Sequence, residues 1–317
     1  MVLASPRLNF LFFVLAVLLA CAPLYAPPYY LELASTALVA AMFALSLQLL
    51  VGGTGLVSLA HAAFFGLGAY AVDLTARVFG APASILLTLP AAALLAGLAA
   101  LAVGALVLRT RGFFFLMSTL AFGQMLFFIF HDTRLGGGTD GVFIERPAFG
   151  IGSLVMQVSR ADRPALLLLL NLLVLALMYI GLQGLMGTLF GHALQGIKAN
   201  EHRMEATGHD VRSLKLVAFV VAGTLAGIAG HMQAATEGFV NPDLLGWHRS
   251  ADALLMVLLG GIGTLYGPIL GAFAFTALAE ASQSITERQG LVEGLVVLAV
   301  VLALPRGLAG LRRGAAR

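Results

Sequence analysis

The chain has 317 residues, of which 60% are hydrophobic and 10% charged, against about 25% charged in an ordinary soluble domain. That composition belongs to a membrane protein and argues against a water-soluble fold. The net charge of +3 does not signal nucleic acid, because the basic residues stand at the ends of apolar runs and form no stripe, and the single cysteine, Cys21, excludes an intrachain disulfide and a thiolate metal cluster.

The first apolar run, 9 to 26, follows Arg7 and ends in the bulky, proline-rich stretch Leu24 to Tyr30. It lacks the small-residue cleavage site of a signal peptide and reads as a retained helix. The next run, 33 to 51, closes on the turn Gly52-Gly53-Thr54-Gly55, and residues 56 to 72 form the third. Further helices are expected near 84 to 108, 112 to 130, 165 to 183 and 216 to 236, with a long connection at 131 to 164 and a polar one at 184 to 215. Lys198, Arg203, Arg212 and Lys215 in the second connection, and Arg306, Arg312, Arg313 and Arg317 in the tail, place that loop and both termini in the cytoplasm. The 131 to 164 loop then lies outside.

Residues 251 to 279 are too few for two spans, yet they must return the chain outside if Leu291 to Leu304 is to carry the basic tail inside. Two half-helices broken at Gly260-Gly261-Ile262-Gly263 satisfy both conditions, since irregular backbone is tolerated at membrane depth when protein surrounds it. The same Gly-Gly-x-Gly step occurs at 52 to 55. Gly-interrupted segments in both halves of a transporter point to a translocation path, here Gly52, Gly53, Gly55, Ser58, His61, Gly260, Gly261 and Gly263. Close helix packing explains such glycines equally well. His61 in its apolar run reads as a neutral imidazole bonded to a carbonyl, or as a group handling substrate or protons. The predicted fold is all-α, a polytopic transmembrane helix bundle of about eight to ten segments, in one domain over 1–317.

Within the polar loop, Leu194, Ile197, Glu201, Met204 and Gly208 recur at three and four residues and fall on one stripe of a helix. Such a face docks into a partner's groove or rests on lipid headgroups. The acids Glu201, Glu205 and Asp210 among the bases favour a protein partner. Asp140 in the outer Gly-Gly-Thr-Asp-Gly loop caps a turn or contacts another protein. No His and acidic residues have metal-ligand spacing, and neither lysine, Lys198 or Lys215, follows a phosphate-binding glycine pattern.

The loop resembles the coupling motif of ABC importer permeases, in the version found in branched-chain amino acid permeases. Gly191, Ala193, Ile197, Asn200, Glu201, Ala206 and Gly208 match, Lys198 replaces an arginine, and His192, Gly196 and Ala199 depart from the pattern. Gly53 to Tyr70, 111 to 125, 137 to 141 and 260 to 271 resemble further family segments, in order, so the resemblance covers about 40 to 305. It implies a multi-pass permease subunit of a bacterial cytoplasmic membrane, paired with a second homologous permease subunit, two cytosolic ATPase subunits and an extracytoplasmic solute-binding protein. ATP is then used by the partner subunits, and this chain is expected to bind no cofactor, no metal and no nucleic acid, with membrane lipid around it. The resemblance assigns ATPase coupling to Gly191, Leu194, Ile197, Lys198, Asn200, Glu201, Met204 and Gly208, and binding-protein contact to Thr139 and Asp140. The implied cargo is a branched-chain or related amino acid. Urea, amides or other small organic solutes are the alternative within this class, and a stand-alone secondary transporter is the alternative outside it.

Overall fold

The computed structural model describes residues 17–79, 84–146, 149–151, 154–156, 162–285, 289–303 and 307–313. Residues 17–21 are helical; the rest of the first apolar run up to residue 16, together with Arg306 and Arg317 of the tail, lies outside the described residues.

Helix α1 (Pro28–Gln48) starts on proline at the first turn, where the missing amide costs nothing, and runs on through a π turn, Leu49–Thr54. Gly55 stops it with φ of 78°, a left-handed conformation suited to glycine. Residues 55–58 form no regular element, so α2 (His61–Phe79) begins later than its apolar run does. Helix α3 (Ile85–Val107) is capped by Ser84, and α4 (Phe113–Asp132) and α5 (Arg163–Gly187) follow. The polar loop folds as α6 (Leu189–Ala199) and α7 (Glu201–Ala206), leading to α8 (Val211–Glu237). Then come α9 (Trp247–Gly260), α10 (Gly267–Ile285) and α11 (Gln289–Ala303).

Among the described residues, six helices are long and apolar enough to cross a membrane: α1 with its π turn, α2, α3, α4, α5 and α8. Helices α9, α10 and α11 fall in the stretches expected to carry the later segments. The chain is an all-α polytopic membrane protein. Its centre is α1, buried along 83% of its apolar window, whereas α4 is buried along only 22% and turns Phe114, Met125 and Phe128 outward.

Lipid tails are as apolar as leucine, so these helices associate by close packing. A Cβ on Gly68 of α2 would overlap the Gly227 carbonyl of α8, and one on Gly230 would overlap the Phe65 carbonyl. On its other side α8 meets α3, where Gly223 faces Ala100 and Gly227 faces Ala96.

Side-chain and strand contacts sort the connections into two ends. At one end, β1 (Val142–Phe143) pairs antiparallel with β4 (Phe239–Val240), and the Tyr29 hydroxyl bonds Glu280. The strands β2 (Phe149–Ile151) and β3 (Leu154–Met156) form a hairpin in the same long connection. At the other end, Gln48 Nε2 donates to the carbonyls of Ile262 (2.5 Å) and Thr264 (2.9 Å), and Gly307 closes on Gly260 and Gly261. The chain therefore enters through α9, turns at 261–266 and returns through α10, as the parity argument requires. The turn starts at Gly261, with φ of 110°.

Replacing Gly230 with valine is expected to lower the unfolding free energy by about 1–3 kcal/mol through overpacking against α2. Thermal unfolding in detergent checks this, with Gly181→Ala, which meets nothing within 4 Å, as the variant expected to melt like wild type.

Candidate functional site

The richest polar geometry gathers around the α5–α6–α7 corner. Thr188 leaves α5 in extended geometry (φ −82°, ψ 172°) and turns the chain sharply into α6. Gly191 makes the corner possible, because a Cβ there would strike the Met186 backbone. Leu194 and Ile197 are buried, with Leu194 Cδ1 in ordinary contact range of Gly53 on the π turn.

Lys198 extends this contact with charge. Its Nζ donates to the carbonyls of Val51 (3.3 Å) and Gly52 (3.1 Å), acceptors that a helix C-terminus leaves without intrahelical partners. Partial desolvation beside the π turn lowers the lysine pKa from its ordinary value.

The helix then breaks. Asn200 (φ −162°, ψ 103°) accepts the Arg203 amide through Oδ1 at 3.0 Å and so caps α7. The expected single stripe from Leu194 to Gly208 is therefore corrected to two short helices meeting at an angle. Asparagine's short amide competes with the backbone for hydrogen bonds and favours a cap over a helix interior. Met204 folds back against Gly196, and Gly208 (φ 85°) belongs to the turn into α8.

Glu201 opens α7 and points into the chain's own charge cluster. Its Oε2 lies 2.6 Å from Lys215 Nζ on α8, and its Oε1 lies 3.7 Å from Arg111 Nε on the α3–α4 turn. Arg111 also binds Glu205 Oε1 at 2.8 Å. The 184–215 connection and the α3–α4 turn are thereby tied together beside a cleft of about 470 Å³ lined by Gly55, Leu56, Phe113, Lys198 and Lys215. The outward surface of the corner carries Leu189, His192, His202 and Arg203.

With this geometry in view, residues 29–304 match the family described as the permease component of the branched-chain amino acid transport system. The chain belongs to that permease family. It is 28% identical over 300 residues to the high-affinity branched-chain amino acid transport permease LivM of Escherichia coli, covering 89% of this chain and 70% of that one. Shorter similarity reaches the autoinducer 2 import permease LsrC of Enterobacter sp., 33% identical over 145 residues (44% of this chain, 41% of that one). The xylose transport permease XylH of Escherichia coli is 28% identical over 147 residues (44% and 36%). No solved structure matches.

In this permease, the two Gly-broken segments that sequence reading linked to a path do meet. Gln48 bridges them, and a Cβ on Gly52 would press on both Gln48 and the Ile262 carbonyl. Most of these residues are nevertheless interior. Gly52, Gly53, Ser58, His61, Gly260 and Gly261 are buried, while Gly55 and Gly263 are exposed. His61 bonds the Ser46 hydroxyl (2.8 Å) and stacks on Phe43, where a carbonyl partner was expected. Since Ser46 Oγ already donates to Phe43 O (2.7 Å), the imidazole Nε2 donates to it, leaving Nδ1 unprotonated. Thr139 and Asp140 are exposed at the opposite end in a short turn between Gly137 and Gly141, both at positive φ. Sequence reading missed Gln48, Arg111 and Lys215 as organisers. Gln48 did interrupt an apolar run, and Arg111 and Lys215 stood out only as topology signals.

A double-mutant cycle on Glu201→Ala and Lys215→Ala should give a coupling of about 0.5–3 kcal/mol in unfolding measurements. Additive losses would mean that the pair does not stabilise the corner.

Proposed function

We propose that this chain is the membrane-spanning subunit of an ATP-driven importer that moves branched-chain or related amino acids into a bacterial cell. It works with a second permease, two cytosolic ATPases and an extracytoplasmic binding protein. The observation carrying this reading is the α6–α7 corner, which is clamped to the π turn by Lys198 and to α8 and the α3–α4 turn by Glu201. Family membership and the long similarity to LivM support it.

In this reading the corner faces the cytoplasm and its outer surface docks on an ATPase. Closure of the ATPase pair pushes the corner, and the side-chain clamps pass that movement to α1, α4 and α8. Glu201 acts by holding α7 in docking geometry. Thr139 and Asp140 meet the loaded binding protein at the other end, and the permease carries no ATPase site of its own. The shorter similarity to autoinducer and xylose permeases favours a second reading in which the cargo is a hydroxyl-rich solute. Ligand binding to the purified binding protein decides between the two.

Reconstituted uptake is expected to require both ATPases and ATP. Uptake by the chain alone, driven by an ion gradient, would contradict the proposal. Glu201→Ala should insert normally yet weaken ATPase association about tenfold or more, the scale of one charge-assisted bond; co-purification with unchanged stoichiometry and uptake would refute its role.

A further inference from the structure

Helix α9 carries charge at a depth where charge is expensive. Its buried side, Ser250, Ala253, Val257 and Gly260, packs inward, and Ser250 fixes the helix in depth. The Ser250 hydroxyl accepts from the Ala62 amide (2.8 Å) and donates to the Leu59 carbonyl (2.9 Å). The Leu59 amide in turn donates to Thr119 (3.2 Å), and Ala60 packs on Gly123. Thr119 and Gly123 lie about 9 and 15 Å along α4 from Phe113, at 1.5 Å per residue. The first turns of α9 therefore lie at the level of the middle turns of α4, within the span of the bundle.

On the side opposite Ser250, His248, Arg249 and Asp252 share a face by their spacing of three and four residues. Arg249 and His248 are exposed and Asp252 is half-buried. Glu293 of α11, whose Oε1 lies 3.5 Å from the Ser282 hydroxyl of α10, is an electrostatic neighbour of Asp252, and Glu237 is one of Arg249. An arginine and carboxylates at this depth face a water-filled cavity or a bundle interior, because exposure to lipid costs several kcal/mol. The charges are mixed in sign and one helical turn apart, which suits a ligand bearing both an anion and a cation.

We propose that the His248–Arg249–Asp252 face of α9, with Glu293 beside it, lines the aqueous translocation path and receives an amphoteric solute, an α-amino acid. Arg249 holds its carboxylate, while Asp252 and Glu293 hold its ammonium. The ligand class rests on the importer reading above; the aqueous character of the face does not.

The test uses the assembled transporter in proteoliposomes, with Cys21→Ser as background and cysteine at 249 or 252. A water-soluble, charged methanethiosulfonate reagent supplied to both sides should modify both positions at least about tenfold faster than Leu177→Cys, a lipid-facing control on α5. Modification no faster than the control would overturn the path. Asp252→Asn should cut leucine uptake about tenfold or more, the scale of a lost charge-assisted bond, with ATP hydrolysis retained and Asp252→Glu restoring uptake. Full leucine uptake in both Asp252→Asn and Arg249→Gln would overturn the ligand assignment. Failure of the importer reading is distinguishable: the wild-type complex would move no amino acid while both cysteines still reacted, removing the ligand class and leaving the path.

Discussion

Hydrocarbon offers no water to a backbone group, so each amide or carbonyl released where a helix breaks at membrane depth must find a protein partner. This permease breaks its helices in several places, and polar side chains meet three of these breaks, both inside the bundle and towards its end. Gln48 binds Ile262 and Thr264 at the α9–α10 turn, Ser250 binds Leu59 and Ala62 ahead of α2, Thr119 takes the Leu59 amide, and Lys198 takes the last carbonyls of the π turn. Without these bonds the breaks would be costly, and regular helices would be the cheaper solution. The small residues of α2, α3 and α8 bring the backbones near enough for short side chains to reach.

The same bonds give the bundle its mechanical character. Lys198 of the α6–α7 corner binds the carbonyls of Val51 and Gly52 in the π turn, and Gln48, the last residue of α1 before that turn, reaches the α9–α10 turn. In the proposed importer, a displacement of the corner would reach the turn through the π turn and a single glutamine. His61 belongs to this packed interior, where its bond to Ser46 and stacking on Phe43 make it a brace.

Much of this architecture was legible in the sequence. Apolar runs located α3, α4, α5 and α8 closely, because a membrane span is a one-dimensional signal. The paired glycine steps located both breaks, because glycine alone tolerates the positive φ of Gly55 and Gly261. What escaped depended on contacts distant in sequence. The late start of α2 depends on Thr119 and Ser250, and the cluster around Glu201 joins the 184–215 connection to the α3–α4 turn. The split at Asn200 was a local signal that helical periodicity overrode; an asparagine followed by Glu201 and Arg203 is a helix start. The glycines chosen from sequence for a path proved mostly interior, with Gly55 and Gly263 exposed.

Side chains, Gln48 foremost, hold the broken backbone in place. Backbone hydrogen exchange across residues 261–266 tests it most directly, comparing the wild-type permease with Gln48→Leu in lipid nanodiscs. Slow exchange in the wild type and clearly faster exchange in the variant, with α3 and α5 unchanged, is the predicted result. Equal exchange across the turn in the two proteins would contradict it.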